Sequence, residues 1–294
     1  MASIIDIHVH CDTFKGLPRI NRQPMISVDK ILQKYESLGI RMGVLQPLLN
    51  PEFGPFPQSN EDMIQITQAY PDRFVTFCNI DPRTNRNSAR SDLAKQVKAY
   101  KRAGCKGVGE ICSVLPFDDP RVENLFSACQ DLQMPILFHL APEPEGYYGL
   151  FDTIGLPGLE KALKKFPRLI FLGHSQPFWS EISSVGPHSR KKYPSGKMRK
   201  KGRVIALMEQ YPNLHGDLSG WSGLNAISRD PKRGTQFLNT FSDRLYFGTD
   251  YIGTGRTKVS LPYLKKLLKQ KMITDETFKR ICYKNAMKLL KIAD

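Results

Sequence analysis

The sequence lacks the features that mark several large classes of protein. Its 294 residues include six cysteines but no C-x-x-C pair, which excludes a zinc knuckle and a thioredoxin motif and predicts buried, reduced thiols. Its longest apolar runs, near residues 136–140 and 169–172, fall far short of the roughly 20 residues that a membrane helix needs. The chain does not open with a basic region followed by an apolar stretch, as a secretory signal would. We therefore expect a cytoplasmic protein that binds no membrane.

Acidic residues are few compared with basic ones. The chain has 43 lysines and arginines against 28 aspartates and glutamates, which gives a formal net charge of +15. A surplus of this size predicts attraction to anions and carries no information about the fold. Eight of the cations lie in one stretch, HSRKKYPSGKMRKKGRV at 188–204. This stretch is interpreted either as a solvated loop or as a segment that recruits an anionic substrate.

Short β-rich apolar runs alternate with helical patterns along the whole chain. Strands are predicted at 4–10, 41–46, 74–80, 107–111, 136–140, 169–174, 214–218 and 245–249. Strands that alternate with helices favour a parallel sheet, and eight of them in fewer than 300 residues predict a single (β/α)8 barrel domain over residues 1–294. A doubly wound open sheet is the alternative, but no Gly-x-Gly-x-x-Gly follows the first strand.

Polar side chains gather where the predicted strands end, which is the catalytic edge of such a barrel. They are His8, His10, Glu110, His139, His174 and Asp250. Residues two apart in a strand point to the same side, so His8 and His10 should face the mouth together while Val9 packs outward. Imidazoles that converge with a carboxylate are a preferred ligand set for zinc and its neighbours.

Segments spread over nearly the whole chain resemble the amidohydrolase superfamily. Within it, the chain is similar to the amidohydrolase family 2 group, which includes aminocarboxymuconate semialdehyde decarboxylase. The segments are IIDIHVHCD at 4–12, YPDRFVTFCNIDP at 70–82, AGCKGVGE at 103–110, MPILFHL at 134–140, FLGHSQPFW at 171–179, NLHGDLSGW at 213–221, RLYFGTDY at 244–251 and YKNAMKLL at 283–290.

The resemblance implies a ligand set as well as a fold. It implies that His8, His10, His139 and Asp250 hold a divalent metal ion, with zinc first and manganese second. It also implies that His174 acts beside Asp250 as a catalytic acid–base group. Glu110 is ambiguous, because relatives such as TatD-type nucleases use a carboxylate on the fourth strand to bridge two metals. We therefore favour one ion, with Glu110 as a further candidate ligand, and leave two open.

The implied activity is that of a metal-dependent hydrolase, which uses metal-activated water on a small anionic amide, ester or lactone. A decarboxylase of a carboxylated ring on the same scaffold is the closest alternative. A binuclear TatD-like nuclease is another, although the charge is concentrated in one loop and nucleic acid is the less favoured partner. A barrel that binds an anion without turnover is the non-catalytic alternative. Association into a homo-oligomer is left open.

Candidate substrate contacts lie in the loops near the predicted mouth. Arg190 is the predicted contact to a carboxylate or phosphate, because it is the cation of the basic stretch nearest a strand end. The aromatic residues there would wall a pocket for a ring, or alternatively pack within the loops. They are Tyr147, Tyr148, Trp179 and Trp221. Of the other chemically active side chains, Cys11 and His215 are expected to pack, Asp217 is taken as the companion of His215 two residues on, and His188 is expected to be exposed.

Overall fold

Eight parallel strands form a ring in the computed structural model, which describes residues 4–12, 24–255 and 257–292. The strands are β1 Ile4–Val9, β2 Ile40–Leu45, β3 Phe74–Thr76, β4 Val108–Ile111, β5 Ile136–Ala141, β6 Leu150–Phe151, β7 Phe171–His174, β8 Leu214–Asp217 and β9 Leu245–Tyr246. The short β6 pairs with β5, forms one further bridge between Phe151 and Pro116, and stands outside the ring that the other eight strands form.

Backbone hydrogen bonds close the ring at the two places where regular pairing stops. The amide of Asp250 donates to the carbonyl of His8 at 2.8 Å, which joins the end of the barrel to β1. The amide of Gly109 donates to the carbonyl of Cys78 at 2.9 Å, which joins β3 to β4. With parallel pairing between the remaining neighbours, the described residues confirm the predicted (β/α)8 barrel.

Helices surround the ring and follow the strands in the order that the sequence predicts. They are α1 Val28–Leu38, α2 Asn60–Ala69, α3 Thr84–Asn87, α4 Leu93–Arg102, α5 Pro120–Asp131, α6 Pro157–Lys165, α7 Gln176–Ser180, α8 Pro187–Arg190, α9 Arg203–Gln210, α10 Gly220–Ser228, α11 Pro231–Thr240, α12 Leu261–Lys269, α13 Asp275–Lys279 and α14 Asn285–Leu290, with a π-helical turn at Arg280–Lys284. The helical segment after β8 is interrupted at Asp230–Pro231, where Asp230 caps α11 and Pro231 occupies its first turn. Among the described residues, no helix is both long and apolar enough to cross a membrane.

The core has an inner layer within the ring and an outer layer between strands and helices. Ile5 and Ile7 belong to the inner layer, whereas Val9 packs in the outer one. This change of side coincides with a register shift of β1 against β2 between Asp6 and Val9. Because of this shift, apolar side chains such as Ile7 fill the interior of the barrel, while His8 and His10 reach its mouth.

The buried carboxylate of Asp6 takes the place of regular strand pairing beside the mouth of the barrel. Asp6 accepts hydrogen bonds from the hydroxyl of Tyr35 at 2.7 Å and from the hydroxyl and amide of Thr249 at 2.6 and 2.8 Å. Regular pairing of β9 therefore ends at Tyr246, before the predicted end of that strand at residue 249. All six cysteines are buried and free, which confirms the expectation of reduced packing thiols, Cys11 included.

Candidate metal centre

Two imidazoles at the mouth of the barrel turn their Nε2 atoms toward each other. His10 Nδ1 lies 2.7 Å from the carbonyl oxygen of Gln46, and His8 Nδ1 lies 2.7 Å from Asp217 Oδ2. Both partners are acceptors, so each Nδ1 carries the proton and each Nε2 presents a lone pair. The two Nε2 atoms are only 2.9 Å apart. Two nitrogen ligands of one tetrahedral zinc ion would lie about 3.3 Å apart, so a small outward shift would let this pair share a cation.

Two carboxylates complete a donor set around these imidazoles. Glu110 Oε2 lies 3.5 Å from Nε2 of both His8 and His10. Asp250 Oδ1 lies 3.9 and 3.6 Å from the same two atoms. Asp250 has a left-handed backbone with φ 52°, a conformation that aspartate tolerates better than most residues and that aims its side chain at the site.

The other oxygen of Glu110 faces a second pair of histidines. Glu110 Oε1 lies 2.7 Å from His139 Nδ1 and 3.8 Å from His174 Nε2. Asp250 Oδ2 also lies 3.8 Å from His174 Nε2. The structure therefore brings all six predicted strand-end residues into one cluster, with Glu110 between its two halves.

The electrostatics of the cluster favour a bound cation. Burial alone would lower the pKa of His8, but the carboxylates of Glu110 and Asp217 raise it well above its ordinary value. Burial opposes ionisation of Glu110, yet His8 and His139 hold its pKa well below its usual range. The carboxylates thus remain ionised while their field draws positive charge into the site. Nitrogen and oxygen donors in this field fit a divalent metal ion.

Asp217, which the sequence does not single out as a site residue, also contacts the cluster. It ends β8 and is fully buried. Its Oδ2 lies 2.7 Å from His8 Nδ1, 3.1 Å from His174 Nδ1 and 2.9 Å from the Ser219 hydroxyl. The signal was present, because Asp217 occupies the same strand-end position as the other candidates.

Two of the predicted substrate contacts, Trp179 and Arg190, have buried side chains. Trp179 is buried because its ring fills the space over Gly216, and its indole N–H donates to the carbonyl of Asp217 at 2.8 Å. Arg190 is also buried, with its Nε 2.8 Å from Glu181 Oε1 and its Nη1 donating to the carbonyl of Asp152 at 2.6 Å. Both side chains pack within the loops behind the mouth, so substrate contact by either of them stays a prediction.

A cleft of about 310 Å³ opens beside the donor cluster, and three of the predicted aromatic residues line it, namely Tyr147, Tyr148 and Trp221. The Tyr148 ring lies 4.3 Å from that of His139, and Lys258 Nζ lies 4.2 Å above Trp221. Lys192 also lines the cleft. Asp250, with its side chain 32 % exposed, connects the cleft to the cluster. Binding by these side chains stays a prediction.

The fold and the donor cluster define the class of this protein: a (β/α)8-barrel enzyme with a buried site that fits a divalent metal ion. The particular family follows from the sequence. The model of the family described as Amidohydrolase matches residues 5–292. The chain belongs to this amidohydrolase family, as its motifs predicted. No curated protein matches it.

Solved structures match nearly the whole chain at low identity. An uncharacterised TIM-barrel protein, Bb4693 from Bordetella bronchiseptica, has a TM-score of 0.69 at 17 % identity, with 98 % of each chain covered. The 5-carboxyvanillate decarboxylase LigW from Sphingomonas paucimobilis has a TM-score of 0.62 at 16 % identity, with 100 % of each covered. A dihydroxybenzoic acid decarboxylase from Polaromonas sp. JS666, solved with bound manganese, has 0.61 at 15 %, with 99 % of this chain and 98 % of that one covered. Likeness at this level of identity shows the fold alone.

Proposed function

We propose that this amidohydrolase holds two divalent metal ions and hydrolyses an amide, ester or lactone in a small anionic substrate. The observation that carries the proposal is the orientation of Glu110. Its Oε2 faces His8 and His10, while its Oε1 faces His139 and His174. A carboxylate placed in this way would help to hold two ions, which together would supply activated water for hydrolysis. The sequence favours one ion, and the orientation of Glu110 supports two.

The hydrogen bonds of His174 support a ligand role for it. His174 Nδ1 lies 3.1 Å from Asp217 Oδ2 and 3.0 Å from the Ser219 hydroxyl, which leaves Nε2 facing Glu110 and Asp250. His8 is arranged in the same way, as expected of a metal-binding imidazole whose remote nitrogen is held by a carboxylate. His174, predicted as an acid–base group, is therefore assigned in this proposal to the second ion together with His139.

Asp250 is the group placed to move the proton. When bound, the ions would acidify a water molecule and polarise the scissile carbonyl. Asp250 has one oxygen among the ligands and the other near His174, and its side chain reaches the cleft. It can accept a proton from the attacking water and deliver it to the leaving group. Lys192, at the edge of the cleft, would attract the anionic substrate.

Zinc is the proposed ion, with manganese as the second choice. The donor set consists of imidazole nitrogens and carboxylate oxygens without sulfur, which suits both metals. Imidazole-rich sites favour zinc, whereas a larger share of carboxylate favours manganese.

A decarboxylase with one ion is the second candidate, and the aromatic lining of the cleft favours it. Tyr148 and Trp221 offer flat surfaces to a carboxylated ring. In this alternative His8, His10, His139 and Asp250 hold the ion. His174 then remains free to deliver a proton to the ring carbon, and Asp217 supports that role by raising the pKa of His174 against the opposing effects of burial and His8.

Metal stoichiometry and isotope transfer distinguish the candidates. We expect about two zinc ions per chain after reconstitution and dialysis, and one or none in Glu110→Gln, while the surface variant Glu123→Gln matches the wild type.

A panel of lactones, esters and amides with carboxylate groups is then incubated in 18O-labelled water. Label in the product supports hydrolysis. One ion per chain, with release of CO2 and no labelled product, refutes it in favour of decarboxylation. Two ions with cleavage of single-stranded DNA would instead support the nuclease alternative.

A further inference from the structure

Asp217 contacts histidines from both halves of the donor cluster through a single atom. Its Oδ2 lies 2.7 Å from His8 Nδ1 and 3.1 Å from His174 Nδ1. His8 belongs to the half that faces Glu110 Oε2, and His174 to the half that faces Glu110 Oε1. The two imidazoles also touch each other, with ring centroids 4.5 Å apart and planes inclined by 61°. One carboxylate oxygen therefore contacts two rings that face different oxygens of Glu110.

The position of Asp217 is itself fully determined by its surroundings. Its Oδ1 accepts the amide of Ser219 at 2.9 Å, and its Oδ2 accepts the Ser219 hydroxyl at 2.9 Å. Its main-chain carbonyl accepts the indole N–H of Trp179 at 2.8 Å. Both Asp217 and His8 are 0 % exposed, so water does not compete for these hydrogen bonds. A carboxylate fixed in this way cannot turn toward one histidine without losing the other.

We infer that Asp217 is a positioning residue that couples the two metal sites, because it holds His8 and His174 in the tautomer that presents Nε2 to the ions. The inference rests on the proposed two-ion site. Carboxylates that hold a ligating imidazole change metal affinity by about 10–100-fold when they are removed. Because Asp217 holds a ligand of each ion, its loss should weaken both sites together, in contrast to the loss of a ligand that serves one ion.

Two substitutions of Asp217 distinguish the effect of the carboxylate's position on metal binding from the effect of its charge. Asp217→Asn removes the charge and one acceptor, whereas Asp217→Glu keeps the charge but moves the carboxylate by one methylene. We expect both variants to bind zinc about 10–100-fold more weakly at both sites, measured by competition with a chromogenic chelator. Asp243→Asn, an exposed aspartate that precedes β9, is the matched control and should match the wild type. Wild-type affinity in Asp217→Glu would overturn the positioning role.

A second measurement does not depend on the variants folding. In zinc-loaded wild-type protein, imidazole 15N spectra should show His8 and His174 with a protonated Nδ1 and a metal-bound Nε2. Coordination through Nδ1 of either residue would refute the inference. Failure of the proposed function has a different result, because the wild type itself would then bind fewer than two ions.

Discussion

A half-buried histidine far from the metal centre should make the stability of the fold sensitive to acid. His215 stands at the start of β8, where its Nδ1 lies 2.8 Å from the Tyr246 hydroxyl, and it lines a cavity at the opposite end of the barrel. Burial and the nearby Arg244 lower the pKa of His215 to about 4, against an ordinary value of 6.5. As the pH falls, the unfolded chain therefore takes up a proton on His215 at a higher pH than the folded protein does. The free energy of unfolding is at its full value above pH 6.5 and decreases as the pH falls toward 4. From pH 7 to pH 5 the linkage relation gives a loss of about 2 kcal/mol.

The substitution His215→Asn tests this value, since its amide can replace Nδ1 as the partner of the Tyr246 hydroxyl. The free energy of unfolding is measured by urea titration of metal-free protein at pH 7 and pH 5. We expect the wild type to lose about 2 kcal/mol more than His215→Asn between the two pH values. His188→Asn, at an exposed histidine, should behave as the wild type. Equal losses in the wild type and His215→Asn would refute the reasoning.

Two other predictions concern the buried ion pair and the metal. Glu181→Gln leaves the charge of Arg190 buried without its partner, so the free energy of unfolding should fall by about 3–5 kcal/mol, while zinc content per folded chain stays unchanged. A drop in zinc content at full stability would instead place this pair in the site. Removal of metal by a chelator should lower the melting temperature, because free zinc at 100 times its dissociation constant stabilises the fold by about 2.7 kcal/mol for each site. An unchanged melting temperature after complete removal, confirmed by elemental analysis, would contradict a site built from ligands on so many strands.

The order of strands and helices can be predicted from the sequence because the period of the apolar residues determines it. The same pattern shows where the strands end, and therefore at which edge of the barrel the polar residues gather. His8 and His10 were assigned to the mouth by their spacing, and their Nε2 atoms do meet there. Simple alternation, however, would have put Ile7 and Val9 on the same side, and only the register shift in β1 separates them. The local pattern carries no sign of that shift, since it depends on pairing with β2.

The orientations of loop side chains are less predictable, because closeness in sequence to a strand end does not determine which way a side chain points. Arg190 lies close in sequence to the end of β7, but α8 turns its side chain toward Glu181. The position of Trp179 was set by the absence of a side chain at Gly216, which lies on another strand. Asp217 is hard to single out for a different reason. Its spacing of two residues from His215 suggests a companion of that histidine, whereas its position at the end of a strand is what brings it to the cluster.

The closure of the ring by the first and last strands has a consequence for how the site comes into existence. His8 and His10 leave the ribosome some 240 residues before Asp250, which reaches them through its backbone bond to His8. Contacts between such distant segments form late, because the loop-closure entropy must be overcome first. A nascent chain therefore lacks the full donor set until its last strand is in place. Acquisition of metal would then report that the whole barrel has been completed, and truncated chains would be recognisable by their failure to retain it.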